Sequence, residues 1–281
     1  MPGAPLALET GPVRPLPVIH GRRPAGHEQE HREREVYDSG EAERNAAATA
    51  GSHAEPWLNV LDYHEPGSRP ALDWLLANPE LLARVRGRVL DAGAGTCWLT
   101  ARVSTLSAVE RVYALDLSEH FLATVGVRVM TLLGASLAKV TLVESDFNAI
   151  PLESGSIACA FLFGAIHHSL SPIKTLQEIG RCLEPGGVLL ILESPAPVAL
   201  IRSFRVRALA VTAASGTTEM CYTRGEIEYL IAAAHIGSCE VIPLPLSRSW
   251  RFRPLARRVL RWLDLERVFK PPNYLFVITR K

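Results

Sequence analysis

The sequence predicts a doubly wound α/β fold: a parallel sheet with helices on both faces, preceded by a helical cap and interrupted by a helical insert. Two observations predict it. Between residues 88 and 193, short runs of apolar and β-branched residues alternate with segments of helical periodicity. The first such run passes through a glycine-rich turn straight into a helix. Parallel strands need a crossover between them, usually a helix, so this alternation implies a parallel sheet buried on both faces. Ligands of such a sheet gather at the carboxyl ends of its strands, where the strand order reverses.

Residues 1–33 are proline-rich and without sustained periodicity, and are expected to form a disordered tail. The stretch 33–50 has helix-forming composition interrupted by Gly40, and Ser68–Val85 carries Leu72, Leu75, Leu76 and Leu82 near helical spacing. Together they make residues 34–85 an N-terminal helical cap. The core, residues 86–281, is expected to place strands at Arg88–Asp91, Arg111–Asp116, Val140–Glu144, Ile157–Phe163 and Val188–Glu193. Helices fall between them at Cys97–Leu106, Glu119–Leu133 and Ile173–Leu183, with Phe147–Gly155 a loop. Residues 195–222 are apolar and dotted with arginines, a helical insert over the substrate side. A helix at Thr223–Ala234 opens on Thr223 and Glu226, spaced as a capping box. Strands at Ser238–Leu244 and Asn273–Thr279 close the chain.

A chain of 281 residues, 48% of them hydrophobic, can build one large core with appendages. Its 30 basic and 29 acidic residues leave a net charge of +1, which argues against a general nucleic-acid binder. The five cysteines form no C-x-x-C pair, and Cys159 and Cys182, within apolar or helical patterns, read as buried free thiols, in keeping with a reducing, cytoplasmic compartment. No metal site is assigned. No run of 18 apolar residues suggests a membrane span, and no secretory signal is evident.

The strongest chemical signal is Val89-Leu90-Asp91-Ala92-Gly93-Ala94-Gly95-Thr96, a strand that becomes a glycine turn and then a helix. Gly93 and Gly95 allow a sharp turn and the approach of a ligand where a Cβ would collide; a tight turn without a ligand is the alternative. A dinucleotide fingerprint wants a small residue at position 98, where this chain has Trp98, and no G-K-[ST] follows for a phosphate loop. S-adenosylmethionine, which has no phosphate, fits better. Asp116, 21 positions after Gly95 and followed by Leu117, ends the next strand, where an acid can accept from both ribose hydroxyls. Ser118 is the better cap for the following helix. Asp146 ends the third strand, placed to accept the adenine amino group beside an apolar wall from Phe147.

These motifs, with S-D-F-N-A-I-P-L, F-L-F-G-A-I-H-H and L-Q-E-I-G-R-C-L-E-P-G-G-V-L-L-I, resemble the class I S-adenosylmethionine-dependent methyltransferases over roughly residues 86–194. The likeness is to the small-molecule branch that includes quinone-biosynthesis methyltransferases. It implies a Rossmann-like sheet of seven strands, the last antiparallel. It also implies that Asp91, Ala92, Gly93 and Gly95 surround the methionine end, Asp116 and Leu117 the ribose, and Asp146 and Phe147 the adenine. Phe163 and Gly164 belong to the same cofactor set. Leu183–Gly187 is read as a tight turn into the fifth strand.

On the acceptor side, the fourth strand runs into His167 and His168. One imidazole of the two, with His168 favoured, is a candidate base; a structural role in the cofactor shell is the alternative. His64 and Glu65, in a loop ahead of the second cap helix, with Tyr37 and Tyr63, are candidate pocket residues; an ordinary solvated loop is the alternative. Six arginines between Arg248 and Arg261, interleaved with Trp250, Phe252 and Trp262, form either a solvated amphipathic helix or a contact for an acidic or phosphate-bearing acceptor, a carrier protein or an anionic membrane surface. The expected activity is methyl transfer to an oxygen, nitrogen or carbon of a small-molecule acceptor. The alternatives are cyclisation or decarboxylation with bound S-adenosylmethionine, a silent binding partner, or an NAD(P)-dependent oxidoreductase.

Overall fold

Strands β1 (Val18–His20), β2 (Gly87–Ala92), β3 (Val109–Asp116), β4 (Val140–Glu144), β5 (Ile157–Phe163), β6 (Leu183–Glu193), β7 (Gly237–Pro243) and β8 (Tyr274–Arg280) form one eight-stranded sheet. Their order is β1-β4-β3-β2-β5-β6-β8-β7. The computed structural model describes residues 16–21, 35, 38, 68–193, 220, 222–244 and 273–281. β1 to β6 pair in parallel, and β8 runs antiparallel to both β6 and β7. Order reverses between β2 and β5, which opens a crevice at the carboxyl ends of those two strands.

The eighth strand corrects the expectation of a disordered tail over residues 1–33. Val18–His20 pairs with Leu142–Glu144 at the edge of β4, and the Pro17 carbonyl accepts from the Leu142 N–H at 3.0 Å. An open parallel edge gains hydrogen bonds from any extended segment laid beside it, and a proline just ahead of an edge strand removes none of them.

Alternation along each strand divides the core. Val89, Val112, Phe161 and Leu190 face one layer, with helix α1 (residues 68–77), α2 (Pro79–Leu82) and α3 (Trp98–Ser104). Leu90, Leu115, Ala160 and Ile191 face the other, with α5 (Pro172–Cys182) and α6 (Arg224–Ala234). Between α3 and α5 lies α4, a π-helical turn Phe121–Gly126 that continues as α-helix over Val127–Leu132.

Three helical or turn boundaries differ from expectation. The stretch Ser68–Val85 is two helices because Pro79 disfavours helical geometry at Asn78, whose side chain instead accepts from Glu80 N and Leu81 N. The helix after Ser118 widens into a π turn where Gly126 approaches the preceding glycine loop: a Cβ there would lie 2.6 Å from Cys97 Sγ. The Leu183–Gly187 turn is a bulge inside β6, since Leu183 pairs with Ile157 and Val188 with Cys159, with Gly186 at φ 77. The capping box at Thr223 and Glu226 is present in full.

Cys97, Cys159 and Cys182 are buried free thiols and Cys239 is exposed. No helix among the described residues is long and apolar enough to cross a membrane. The insert at 195–219, the arginine run, and His64, Glu65, Tyr37 and Tyr63 lie outside the described residues.

Candidate active site

The crevice begins at the glycine turn after β2. Asp91 is 2% exposed and accepts a 2.6 Å hydrogen bond from Thr100 Oγ1 in the first turn of α3. Burial pushes its carboxyl up to about 7, with the Thr100 bonds opposing and the charge of Asp116 adding. Both glycines adopt positive φ, 78° at Gly93 and 47° at Gly95, but they serve different ends. A Cβ on Gly93 would sit 2.5 Å from the Ala165 Cβ and 3.3 Å from the Phe147 ring, so its space is filled by the protein itself. A Cβ on Gly95 would meet nothing within 4 Å.

Two further features of this turn are unusual. Cys97, buried and not glycine, sits in the left-handed region at φ 56, a geometry costing about 1–2 kcal/mol. Thr96 Oγ1 is buried without a hydrogen-bond partner among the described residues. Trp98 turns inward and joins the core beneath α3.

One strand over, Asp116 Oδ2 accepts from the Gly95 N–H at 2.8 Å and Oδ1 from the Ser118 N–H at 3.0 Å. Desolvation raises its carboxyl, opposed by these N–H groups and by the positive charge of His168, which places that imidazole within electrostatic reach. Ser118 caps α4, its Oγ accepting from Phe121 N at 3.1 Å and donating to Asp38 at 2.6 Å. Leu117 is half-buried between them.

Asp146 is buried and its Oδ1 accepts from the Asn148 backbone at 3.0 Å and side chain at 3.1 Å. Asn148 Oδ1 in turn accepts from Thr175 Oγ1 at 3.2 Å, and Thr175 meets Ser169 Oγ at 2.7 Å. This chain ties the Asp146 loop to the turn that carries the histidines. Ala92 is fully buried, Phe163 packs edge-on against Phe161 at 5.4 Å, and Gly164 has φ 59 with open space around it.

His167 and His168 lie on a 3-10 turn, Ile166–His168, their rings 4.2 Å apart. His167 Nδ1 lies 3.0 and 3.1 Å from the two oxygens of Glu193, at the end of β6. The Met220 N–H donates to the His167 carbonyl at 2.9 Å. Nearby, burial pushes the Tyr222 phenol up, helped by Glu193 and Glu226. A second such pair, His20 Nδ1 with Glu144 Oε2 at 2.7 Å, stands at the outer edge of the sheet.

The structure thus gathers Asp91, Ala92, Gly93, Gly95, Asp116, Leu117, Asp146, Phe147, Phe163, Gly164, His167 and His168 at one end of the sheet. Sequence reasoning missed Glu193, Thr96 and Thr100. Glu193 had the same signal as Asp116, an acid ending an apolar strand.

Residues 90–191 match the methyltransferase domain family. The chain is 30% identical over 123 residues to the ubiquinone/menaquinone biosynthesis C-methyltransferase UbiE of Syntrophotalea carbinolica, covering 44% of this chain and 50% of that protein. It spans about half the length of the curated relatives it matches. Among solved structures, an S-adenosylmethionine-dependent methyltransferase from Mesorhizobium loti superposes with TM-score 0.52 at 19% identity, over 76% of this chain and 97% of that one. The [4+2]-cyclase SpnF superposes with TM-score 0.58 at 17% identity, over 95% and 98%. At these identities the structures share the fold alone.

The residues present suit the cofactor of that family. Space at Gly95, an unpartnered buried hydroxyl at Thr96, and lone pairs left on Asp116 after two bonds supply room, a donor and an acceptor. A sheet of this order, wound around this turn, carries the match to the methyltransferase domain along residues 90–191, so this stretch is similar to the class I S-adenosylmethionine-dependent methyltransferases.

Proposed function

We propose that the chain transfers the methyl group of S-adenosylmethionine to a carbon, oxygen or nitrogen nucleophile of a small-molecule acceptor. The similarity to the ubiquinone/menaquinone biosynthesis C-methyltransferase of Syntrophotalea carbinolica makes a quinol-type ring the first acceptor class to try. Asp91, Ala92, Gly93 and Gly95 hold the methionine end, Asp116 and Leu117 the ribose, and Asp146 and Phe147 the adenine. Phe163 and Gly164 border the methyl group, and the histidine turn faces the acceptor. The observation that carries this reading is the bond between the Gly95 N–H and Asp116, which sets an acceptor for sugar hydroxyls beside an open turn. Because a sulfonium is already a good leaving group, the protein has two tasks: to align the nucleophile and to take its proton.

Calorimetry with S-adenosylhomocysteine tests the reading. Asp116→Ala removes a charged acceptor from two hydroxyls and should weaken binding at least about tenfold, from the ~1.5–3 kcal/mol such bonds contribute. An unchanged affinity, or thermal stabilisation by NADH and not by S-adenosylhomocysteine, would sink it. Transfer of a labelled methyl group to hydroquinone or amine probes separates methylation from cyclisation or decarboxylation.

A further inference from the structure

We propose that Glu193 is the positioning residue of His167, and that the pair receives the proton an acceptor gives up when it is methylated. The inference rests on the methyltransferase reading above. The sequence favoured His168 of the two histidines; His167 is the one that meets Glu193.

Glu193 ends β6 and its side chain is 7% exposed, while His167, at the end of β5, keeps 23% of its side chain exposed. Adjacent parallel strands in register therefore deliver a buried carboxylate to a histidine, on the turn after β5, that stays partly exposed. Both carboxylate oxygens lie at nearly equal distance from Nδ1, 3.0 and 3.1 Å, so an Nδ1–H points between them. That contact selects the tautomer with its proton on Nδ1 and leaves Nε2 as a proton acceptor toward the crevice. The turn is fixed from behind as well, by Met220 N on the His167 carbonyl.

His168 differs. Its charge acts on Asp116, on the ribose side of the crevice. The adjacent imidazoles thus divide between cofactor and acceptor. Among the described residues, His167 meets His168 on its own turn and Glu193 from β6, and Glu193 also acts electrostatically on Tyr222 ahead of α6.

A proton acceptor here implies an acceptor molecule with a proton to lose: a phenolic or enolic hydroxyl, or a ring carbon activated by one. The acceptor atom bonds to the methyl carbon, the S–C bond breaks with its electron pair staying on sulfur, and the released proton passes to His167 Nε2. Glu193 stabilises the resulting imidazolium without itself taking the proton.

The test is ¹⁵N NMR of the histidine side chains, with S-adenosylhomocysteine calorimetry as a control. Wild-type His167 should be the Nδ1–H tautomer. Glu193→Gln should shift or mix that tautomer, Glu193→Asp should restore it, and both should bind S-adenosylhomocysteine within about twofold of wild type, which also shows that they fold. With a substituted hydroquinone as acceptor, Glu193→Gln should lower kcat by about 10²–10⁴-fold with KM for S-adenosylmethionine unchanged. An unchanged tautomer or kcat in a Glu193→Gln protein that still binds S-adenosylhomocysteine overturns the dyad alone. Failure of the wild-type protein to bind S-adenosylhomocysteine sinks the methyltransferase reading and the dyad with it.

Discussion

Asp91→Asn should make the cofactor-free protein more stable at alkaline pH while weakening its grip on the cofactor. Burial raises the Asp91 carboxyl from 3.8 to about 7. Because its affinity for protons is greater in the folded protein than in the unfolded chain, the folded state binds the extra proton between those two values. Stability from this group is fully present below pH 3.8 and is lost as pH rises through about 7. Moving the carboxyl from 3.8 to about 7 corresponds to about 4 kcal/mol. Asparagine keeps the shape and can still accept from Thr100 Oγ1, but carries no charge to desolvate. Denaturant unfolding without cofactor should therefore show Asp91→Asn ahead of wild type by a few kcal/mol at pH 8, with the gap narrowing as pH falls through 5 and closing near 3.8. Calorimetry at pH 8 should show S-adenosylhomocysteine binding weakened about 10- to 100-fold, the worth of one charge-assisted bond. A stability gap that does not change with pH would refute the account of a carboxylate held against desolvation.

The two glycines of the turn should fail differently. Gly93→Ala drives a Cβ to 2.5 Å from Ala165, so it should lower stability by more than the ~1–2 kcal/mol of a left-handed alanine and displace the histidine turn. Gly95→Ala meets no atom within 4 Å, so denaturant unfolding should show only that backbone term while cofactor affinity falls further. Thr175→Val breaks the chain from Asp146 to Ser169 and leaves buried partners unsatisfied. Denaturant unfolding should register a loss of about 1–3 kcal/mol.

Much of this was legible because the inner strands are buried on both faces. Each is a run of apolar residues that ends in a polar one where it reaches the crevice, so Asp91 and Asp116 marked both a boundary and a site. Thr223 and Glu226 announced a helix start through local chemistry alone. Val18–His20 did not, since three residues carry no periodicity and their partners lie over 120 positions away. At Asn78 the breaker was visible, but the leucine spacing across it suggested one continuous helix. Nor does spacing say that a histidine of this 3-10 turn meets Glu193. That follows only once β6 lies beside β5 and brings Glu193 to His167.

The electrostatics of the turn bear on what it was built to hold. Asp91 is raised by burial and further by Asp116, and Asp116 is itself raised by burial, so the empty site carries two carboxyls whose ionised forms are disfavoured. A cationic ligand relieves that penalty, because a nearby positive charge favours the carboxylate. A sulfonium with an α-ammonium group brings two such charges against the one negative charge of its carboxylate. A pyrophosphate brings two of the opposite sign, to a helix start occupied by a left-handed Cys97 and an inward-turned Trp98. The same residues that make the unliganded turn costly thus discriminate between the two cofactor chemistries. S-adenosylhomocysteine, which keeps the ammonium but has no sulfonium charge, should consequently bind more weakly than S-adenosylmethionine when Asp91 is intact, and the two should converge in Asp91→Asn. Equal discrimination in both proteins, measured by calorimetry, would mean that Asp91 does not sense the charge on sulfur.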